Sequence, residues 1–407
     1  MSDSTPAAHL LAPRIERIKP SPSSMAVRRV RELKASGVDV VGLTTGEPDF
    51  DTPEWVKEAA RRAMAEGKTK YTNVDGTPEL KRAIRDKFAR ENGLEYALDE
   101  IVVGSGGKQV IFNALLTTIT AGDEAVIPTP CWVSYPDIVL LAGGTPRLMP
   151  CPPERGFKLT PAELERAITP RTKWLILNSP CNPSGATYSA EELCGLAEIL
   201  LRHPQVHVLT DDIYEHILYD GRPFATLAQA APALKPRTLT VNGVSKAYAM
   251  TGWRIGYAGG PAPLIRAMVK LQSQSTSGPS SISQAAACEA LTGPQEIVRQ
   301  RTVLFQERRD EVVGLLRAIP GLRCHSPEGA FYAYPSCAGL LGRTTPAGDV
   351  LRSDADFVMY LLESQRVATL QGEAYGLSPY FRLSFATSMD TLREGCRRIR
   401  EACTALA

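Results

Sequence analysis

Apolar positions recur along this chain with two different periods. Near the start, Met25, Val27, Val30 and Leu33 fall at helical spacing, and Gly37 follows where a helix would be capped. The run 38–43 then reads as a strand, and Thr44-Thr45-Gly46-Glu47-Pro48-Asp49-Phe50 reads as a loop from its Gly and Pro. From about residue 99 short apolar runs alternate with helical segments. The runs are 101–103, 124–128, 174–178, 206–210, 239–241 and 255–258. This alternation predicts an α/β fold, a mostly parallel sheet covered by helices on both faces. Ligands of such sheets bind outside the carboxyl ends of the strands.

After about residue 295 the pattern changes. A long charged helix is expected over 295–318, strands over 331–334, 367–370 and 381–385, and helices over 355–364 and 389–404. That is a smaller α+β unit, which the N-terminal segment can join. The expected division is an arm over 1–22 rich in Ser, Pro and Ala, a large domain over 50–295, and a small domain made of 23–49 and 296–407.

Composition removes several function classes. The chain has 407 residues, 43% hydrophobic and 22% charged, with a formal net charge of +2. Nothing in that balance calls for nucleic acid or an anionic membrane, so any anion site must be local. The nine cysteines contain no CxxC pair and the five histidines no HExxH, so no metal is expected. No apolar run approaches the ~20 residues that cross a bilayer, and residues 9–12 are a poor leader. A cytoplasmic protein is expected.

Six short segments carry candidate chemistry, most of them just past a predicted strand. Lys246 sits in a Ser/Gly-rich loop with Arg254 eight residues on. A buried lysine near a cation has a depressed pKa and can form an imine, and an arginine can clamp a phosphate; a surface lysine and an ion-paired arginine fit equally. Gly104-Ser105-Gly106-Gly107-Lys108 opens a helix and would let N–H groups approach a phosphate, or is simply a tight turn. Asn182, between Pro180 and Pro183, can aim an amide at a ring oxygen or serve a turn. Asp211 can hold a pyridine nitrogen protonated, with Tyr214 reaching a ring hydroxyl, or can cap the next turn. Trp132 offers a stacking face or core bulk. Arg382, inside an apolar strand, needs a carboxylate from a substrate or from the protein.

Each segment has a plain structural explanation. Together they match the needs of pyridoxal phosphate acting on an amino acid. The chain resembles the fold type I, class I aminotransferases, and within them the bacterial aspartate aminotransferases of the Iβ type. The resemblance runs from about Lys19 to Ile399 through Gly46-Glu47-Pro48-Asp49-Phe50, Lys70-Tyr71-Thr72, Gly106-Gly107-Lys108-Gln109, Trp132-Val133-Ser134-Tyr135-Pro136, Asn182-Pro183, Asp211-Asp212-Ile213-Tyr214, Ser245-Lys246, Gly329-Ala330-Phe331-Tyr332 and Arg382-Leu383-Ser384.

The resemblance implies a seven-stranded, mostly parallel sheet and a cofactor, pyridoxal 5′-phosphate. It implies that Lys246 carries the cofactor and shuttles the proton, that Asp211 pairs with the ring nitrogen, and that Asn182 and Tyr214 bond the ring oxygen. Trp132 would stack on the ring, while Gly106, Gly107, Lys108 and Arg254 hold the phosphate. Tyr71 would reach the phosphate of a neighbouring subunit, making a homodimer with shared active sites. Arg382 and Gly46 would bind the substrate α-carboxylate. Lys19, in Lys19-Pro20-Ser21, and Lys108 would take the side-chain carboxylate of aspartate. The implied reaction moves the amino group of L-aspartate to 2-oxoglutarate by a ping-pong mechanism. Amination of prephenate to arogenate is a second activity in this subgroup, suggested by the block 335–342. Alternatives are another amino-acid preference, or β-elimination from a cysteine-like substrate on the same scaffold. Two departures bear on the substrate: Cys131 stands where relatives have tyrosine, and residues 371–375 differ from the usual pattern.

Overall fold

A computed structural model describes residues 10–20 and 22–407. Residues 1–9 of the expected arm and Ser21 of the Lys-Pro-Ser motif lie outside the described residues. Pro13–Arg17 forms a 3-10 turn with nothing buried. The chain continues through α1 (Pro22–Ala35), β1 (Val41–Gly42), α2 (Glu54–Ala65) and α3 (Pro78–Asn92). α3 shows how local chemistry sets an element. Thr77 accepts the N–H of Leu80, Pro78 occupies a first-turn position that needs no donor, and Gly93 ends the helix at φ 61°.

Seven strands build the central sheet: β2 (Ile101–Gly104), β3 (Glu124–Thr129), β4 (Thr145–Pro150), β5 (Thr172–Asn178), β6 (His207–Asp211), β7 (Thr238–Gly243) and β8 (Gly256–Gly259). Their order is β2-β8-β7-β6-β5-β3-β4. Only β8 runs antiparallel to its neighbours. Helices α4 (Gly107–Thr118), α5 (Ser134–Leu141), α6 (Pro161–Ala167), α7 (Ala190–Arg202), α8 (Leu227–Ala230), α9 (Ala262–Ser273) and α10 (Ser281–Thr292) connect and flank it.

Burial on both faces explains the near-continuous apolar runs. Along β5 and β6, Trp174, Ile176 and Leu209 pack with Ile111 and Leu115 of α4. Leu175, Leu177 and Val208 pack on the other face with Leu193, Leu196 and Leu200 of α7. β4 was not expected from the sequence. It is an edge strand carrying Pro146 and Pro150, so it has no apolar run; prolines are tolerated where one side of the ladder is unpaired.

Beyond α11 (Glu296–Arg317), β9 (Tyr332–Ala333), α12 (Asp354–Gln365), β10 (Val367–Ala368), β11 (Leu370–Gln371), β12 (Phe381–Ser384) and α13 (Met389–Thr404) complete the chain. β1 pairs in parallel with β10, and β12 lies between β11 and β9. The strand expected over 38–43 is only two residues long in its pairing with β10, and the Leu43 carbonyl just beyond it accepts the N–H of Ser384 in β12. Val41 and Leu43 share an apolar cluster with Phe305, Val312, Phe381 and Ile399. That shared core joins the segment around β1 to the chain beyond residue 296. Tyr214 and Ile217, just past the carboxyl end of β6, enter the same cluster. Among the described residues no helix is long and apolar enough to cross a membrane.

Candidate active site

Register brings three of the sequence segments to one edge. Asn178 at the end of β5 lies beside Asp211 at the end of β6, and Asp211 lies beside Val241 of β7. Asn178 donates from Nδ2 to the Asp211 carbonyl at 2.7 Å and accepts the N–H of Asn182 at 2.8 Å. The amide thus fixes the 178–185 loop against the aspartate. The Asp211 carboxylate accepts the Tyr135 hydroxyl at 2.7 Å. Burial pushes its pKa up to about 6, while the Tyr135 hydroxyl, the Ile213 N–H and the charge of Lys246 hold it down.

Lys246 follows β7 by three residues. Its Nζ donates to the Gly46 carbonyl, which joins the 44–50 loop to the lysine loop. Burial lowers its pKa to about 8; Glu47 and Asp211 oppose that shift, and Arg382 and Arg254 add to it. The amine is 5.8 Å from the centre of the Tyr214 ring. The Tyr214 hydroxyl shares a 2.8 Å hydrogen bond with that of Tyr332, and burial raises both phenols, Tyr332 to about 12.

A cradle for an anion lies at the start of α4. Gly106 has φ 90°, and a Cβ there would come 2.3 Å from Arg254 Nη2. A Cβ on Gly256 would come 2.1 Å from the N atom of Gly107. Only glycine allows this approach of the loop, the strand and the guanidinium. No acidic residue occupies the first turn of α4, and among the described residues Arg254 donates to the carbonyls of Thr251 and Ser105 and pairs with no carboxylate. A helix N-terminus and a guanidinium turned to carbonyls are what a phosphate needs. Lys108 lies over Trp132, 4.7 Å from the ring centre. Burial lowers the pKa of Lys108, and the charge of Arg254 adds to the effect.

Arg382 is the most telling side chain. It is 2% exposed, yet among the described residues no carboxylate pairs with it. Nη1 donates to Asn182 Oδ1 at 3.1 Å and Nη2 to the Thr44 carbonyl at 2.6 Å, while buried Nε has no partner. The guanidinium lies 4.4 Å from the Tyr332 ring centre. An internal salt bridge, the alternative reading of this arginine, is not what the fold provides.

These groups face one cavity of about 570 Å³. Its walls include Gly46, Gly107, Lys108, Trp132, Asn182, Asp211, Tyr214, Lys246, Arg254 and Arg382. Two expected residues are elsewhere. Tyr71 is 98% exposed on the surface of this chain. Lys19 is exposed beside Asp137 of α5, where its N–H and charge oppose the burial that raises that carboxyl. Tyr135, Tyr332, Asn178 and Glu47 also line the cavity without having been assigned a role. The blocks containing them were visible in sequence, but their partners lie 33 to 204 residues away.

The profile of the aminotransferase class I and II family matches residues 38–399. The aspartate aminotransferase of Rhizobium meliloti (strain 1021) is 59% identical over 379 residues, 93% of this chain and 92% of that protein. An aspartate/prephenate aminotransferase of Cereibacter sphaeroides is 56% identical over 397 residues, covering 98% and 99%. Among solved structures, the aspartate aminotransferase from Rhizobium meliloti superposes with a TM-score of 0.95 at 58% identity, covering 98% and 99% of the two chains. The Thermus thermophilus aspartate aminotransferase with maleate gives 0.89 at 43% identity, covering 96% and 99%. The chain therefore belongs to the class I and II aminotransferases, with the fold type I architecture of that family.

Proposed function

We propose that this aminotransferase takes the amino group of L-aspartate and passes it to 2-oxoglutarate, and that it also aminates prephenate to arogenate. Pyridoxal 5′-phosphate is the proposed cofactor, and the residues present fit it. The glycine cradle and Arg254 suit its phosphate, the buried Asp211 its ring nitrogen, and the face of Trp132 its ring. Bound there, it supplies an electron sink for the bond broken at the substrate α-carbon.

The protein's own groups do the rest. Arg382 binds the α-carboxylate through its two outer nitrogens, with Gly46 adding a backbone contact. Asn182 and Tyr214 orient the ring oxygen. The Asp211 carboxylate holds a proton on the ring nitrogen. Lys246 would anchor the cofactor, and its Nζ, once freed, would take the proton from the substrate α-carbon and return it two bonds away, on the far side of the amino nitrogen. The donor leaves as its oxo acid before the acceptor enters, which is a ping-pong order. Lys108, in the cavity wall, meets the side-chain carboxylate of aspartate, with Lys19 joining it on leaving Asp137. Tyr71 serves a second copy, so the working unit is a homodimer with shared sites. All nine cysteines are free thiols, which suits a reducing cytoplasm.

The buried, carboxylate-free Arg382 in the same cavity as Lys246 carries this reading. It calls for a substrate that brings its own carboxylate next to the lysine. The test is product formation by purified holoenzyme. Oxaloacetate should form from L-aspartate beyond one equivalent per active site only when an oxo acid acceptor is supplied. Pyruvate and a free thiol from a cysteine-like substrate, with no acceptor present, would instead establish β-elimination.

A further inference from the structure

α1 lines the mouth of the cavity with Ser24, Val27, Arg28 and Arg31, one face of the helix at spacings of three and four residues. The opposite side of the helix is anchored by Val30 and Leu33, which pack with Val40 and Ala368. The two arginines are therefore set toward the cavity by a helix that is itself held in place. Arg28 is tied to Glu32 at 3.0 Å. Arg31 pairs with no carboxylate among the described residues.

The charge on the walls is one-sided. Six cationic side chains, Arg28, Arg31, Lys108, Lys246, Arg254 and Arg382, face two carboxylates, Glu47 and Asp211. In the proposed reaction Arg254 is used by the phosphate, Arg382 by the α-carboxylate, Lys246 by the chemistry, and Lys108 by the short side chain of aspartate. Arg28 keeps Glu32, which leaves Arg31 without an anion among the described residues.

The acceptors differ from aspartate in a simple way. In 2-oxoglutarate the second carboxylate is one carbon farther from the reacting carbon than in aspartate. Prephenate has the same spacing, because its ring carbon carries both the oxo-acid arm and the second carboxylate. We propose that Arg31, assisted by Arg28, is the subsite for this more distant carboxylate. The protein then handles its two substrate lengths at two places: the shorter at Lys108, the longer at the α1 face. This rests on the proposed aspartate-to-oxo-acid reaction and adds the residue that reads acceptor length.

The test measures the two half-reactions separately on purified holoenzyme, by stopped-flow absorbance of the bound cofactor. The probes are L-aspartate, 2-oxoglutarate, prephenate and the monocarboxylic phenylpyruvate. For Arg31→Ala, kcat/KM with 2-oxoglutarate and with prephenate should fall at least about tenfold relative to aspartate and to phenylpyruvate, through KM rather than kcat; tenfold corresponds to about 1.4 kcal/mol. Arg31→Lys should recover part of the loss, and Arg28→Ala with Arg31→Ala should exceed the single change. An equal fall for all four substrates would mean general attraction of anions, and no change would mean no contact; either overturns the subsite. Absence of both half-reactions in the unaltered enzyme would instead refute the proposed function.

Discussion

The Tyr135 hydroxyl donates to Asp211 at 2.7 Å, from the first turn of α5 to the end of β6. Burial alone would favour the neutral acid, and this bond favours the carboxylate. Asp211 must be ionised to pair with a protonated ring nitrogen. Tyr135→Phe removes the donor, so the carboxyl pKa rises above about 6. Binding that needs the carboxylate is present above that pKa and lost below it. In the variant, pyridoxal phosphate should therefore be lost at a higher pH during acidification. One hydrogen bond to a charged group contributes about 1.5–3 kcal/mol. Cofactor titrations at a series of pH values check this; an unshifted acidic limb would count against the role of Tyr135.

Arg382→Ala should leave cofactor binding intact and lower kcat/KM for aspartate at least about a hundredfold, since two charge-assisted hydrogen bonds to the α-carboxylate disappear. Arg382→Lys keeps the charge but loses the fork and should recover little. Steady-state kinetics beside the absorbance of bound cofactor separate the two effects. Loss of the cofactor itself would place Arg382 in folding rather than substrate binding.

Gly106→Ala tests the cradle. Its Cβ would meet Arg254 at 2.3 Å, on backbone at φ 90° that disfavours any side chain. The expected result is a folded protein whose Kd for pyridoxal phosphate rises tenfold or more, about 1.4 kcal/mol. Gly256→Ala meets backbone atoms of Gly106 and Gly107 that cannot turn aside, so its main effect should be a lower Tm. Calorimetry and fluorescence titration distinguish the two.

Lys108→Ala should raise KM for aspartate much more than for an apolar amino acid, because the residue lies in the cavity wall. Lys19→Ala should do the same only if Lys19 leaves Asp137 when substrate binds. An equal change in KM for both amino acids would remove either lysine from the side-chain subsite.

Much of the central sheet was legible because parallel strands covered on both faces are written as short apolar runs. Lys246, Asn182 and Arg254 could be singled out because each stands in a loop beyond a strand end, and Asp211 because it closes β6. The limits were equally physical. β4 carries prolines at an edge and has no apolar run. Tyr135 looked like one more aromatic residue, since nothing local shows that its hydroxyl meets Asp211. The direction of α1 could not be read either: its apolar spacing marked a helix, but not that Arg28 and Arg31 face the cavity. Arg382 was ambiguous in sequence because a salt bridge and a substrate clamp look alike until every neighbour is known.

The most direct test of the account follows the visible absorbance of protein loaded with pyridoxal phosphate, for the unaltered chain and for Lys246→Ala. L-aspartate alone should abolish the band of the lysine-bound cofactor and 2-oxoglutarate should restore it, whereas Lys246→Ala should lack that band and turn over at least about a thousandfold more slowly. An unaltered protein that shows no such band with added cofactor, or a band indifferent to aspartate, would contradict the assignment of Lys246 and the reaction built on it.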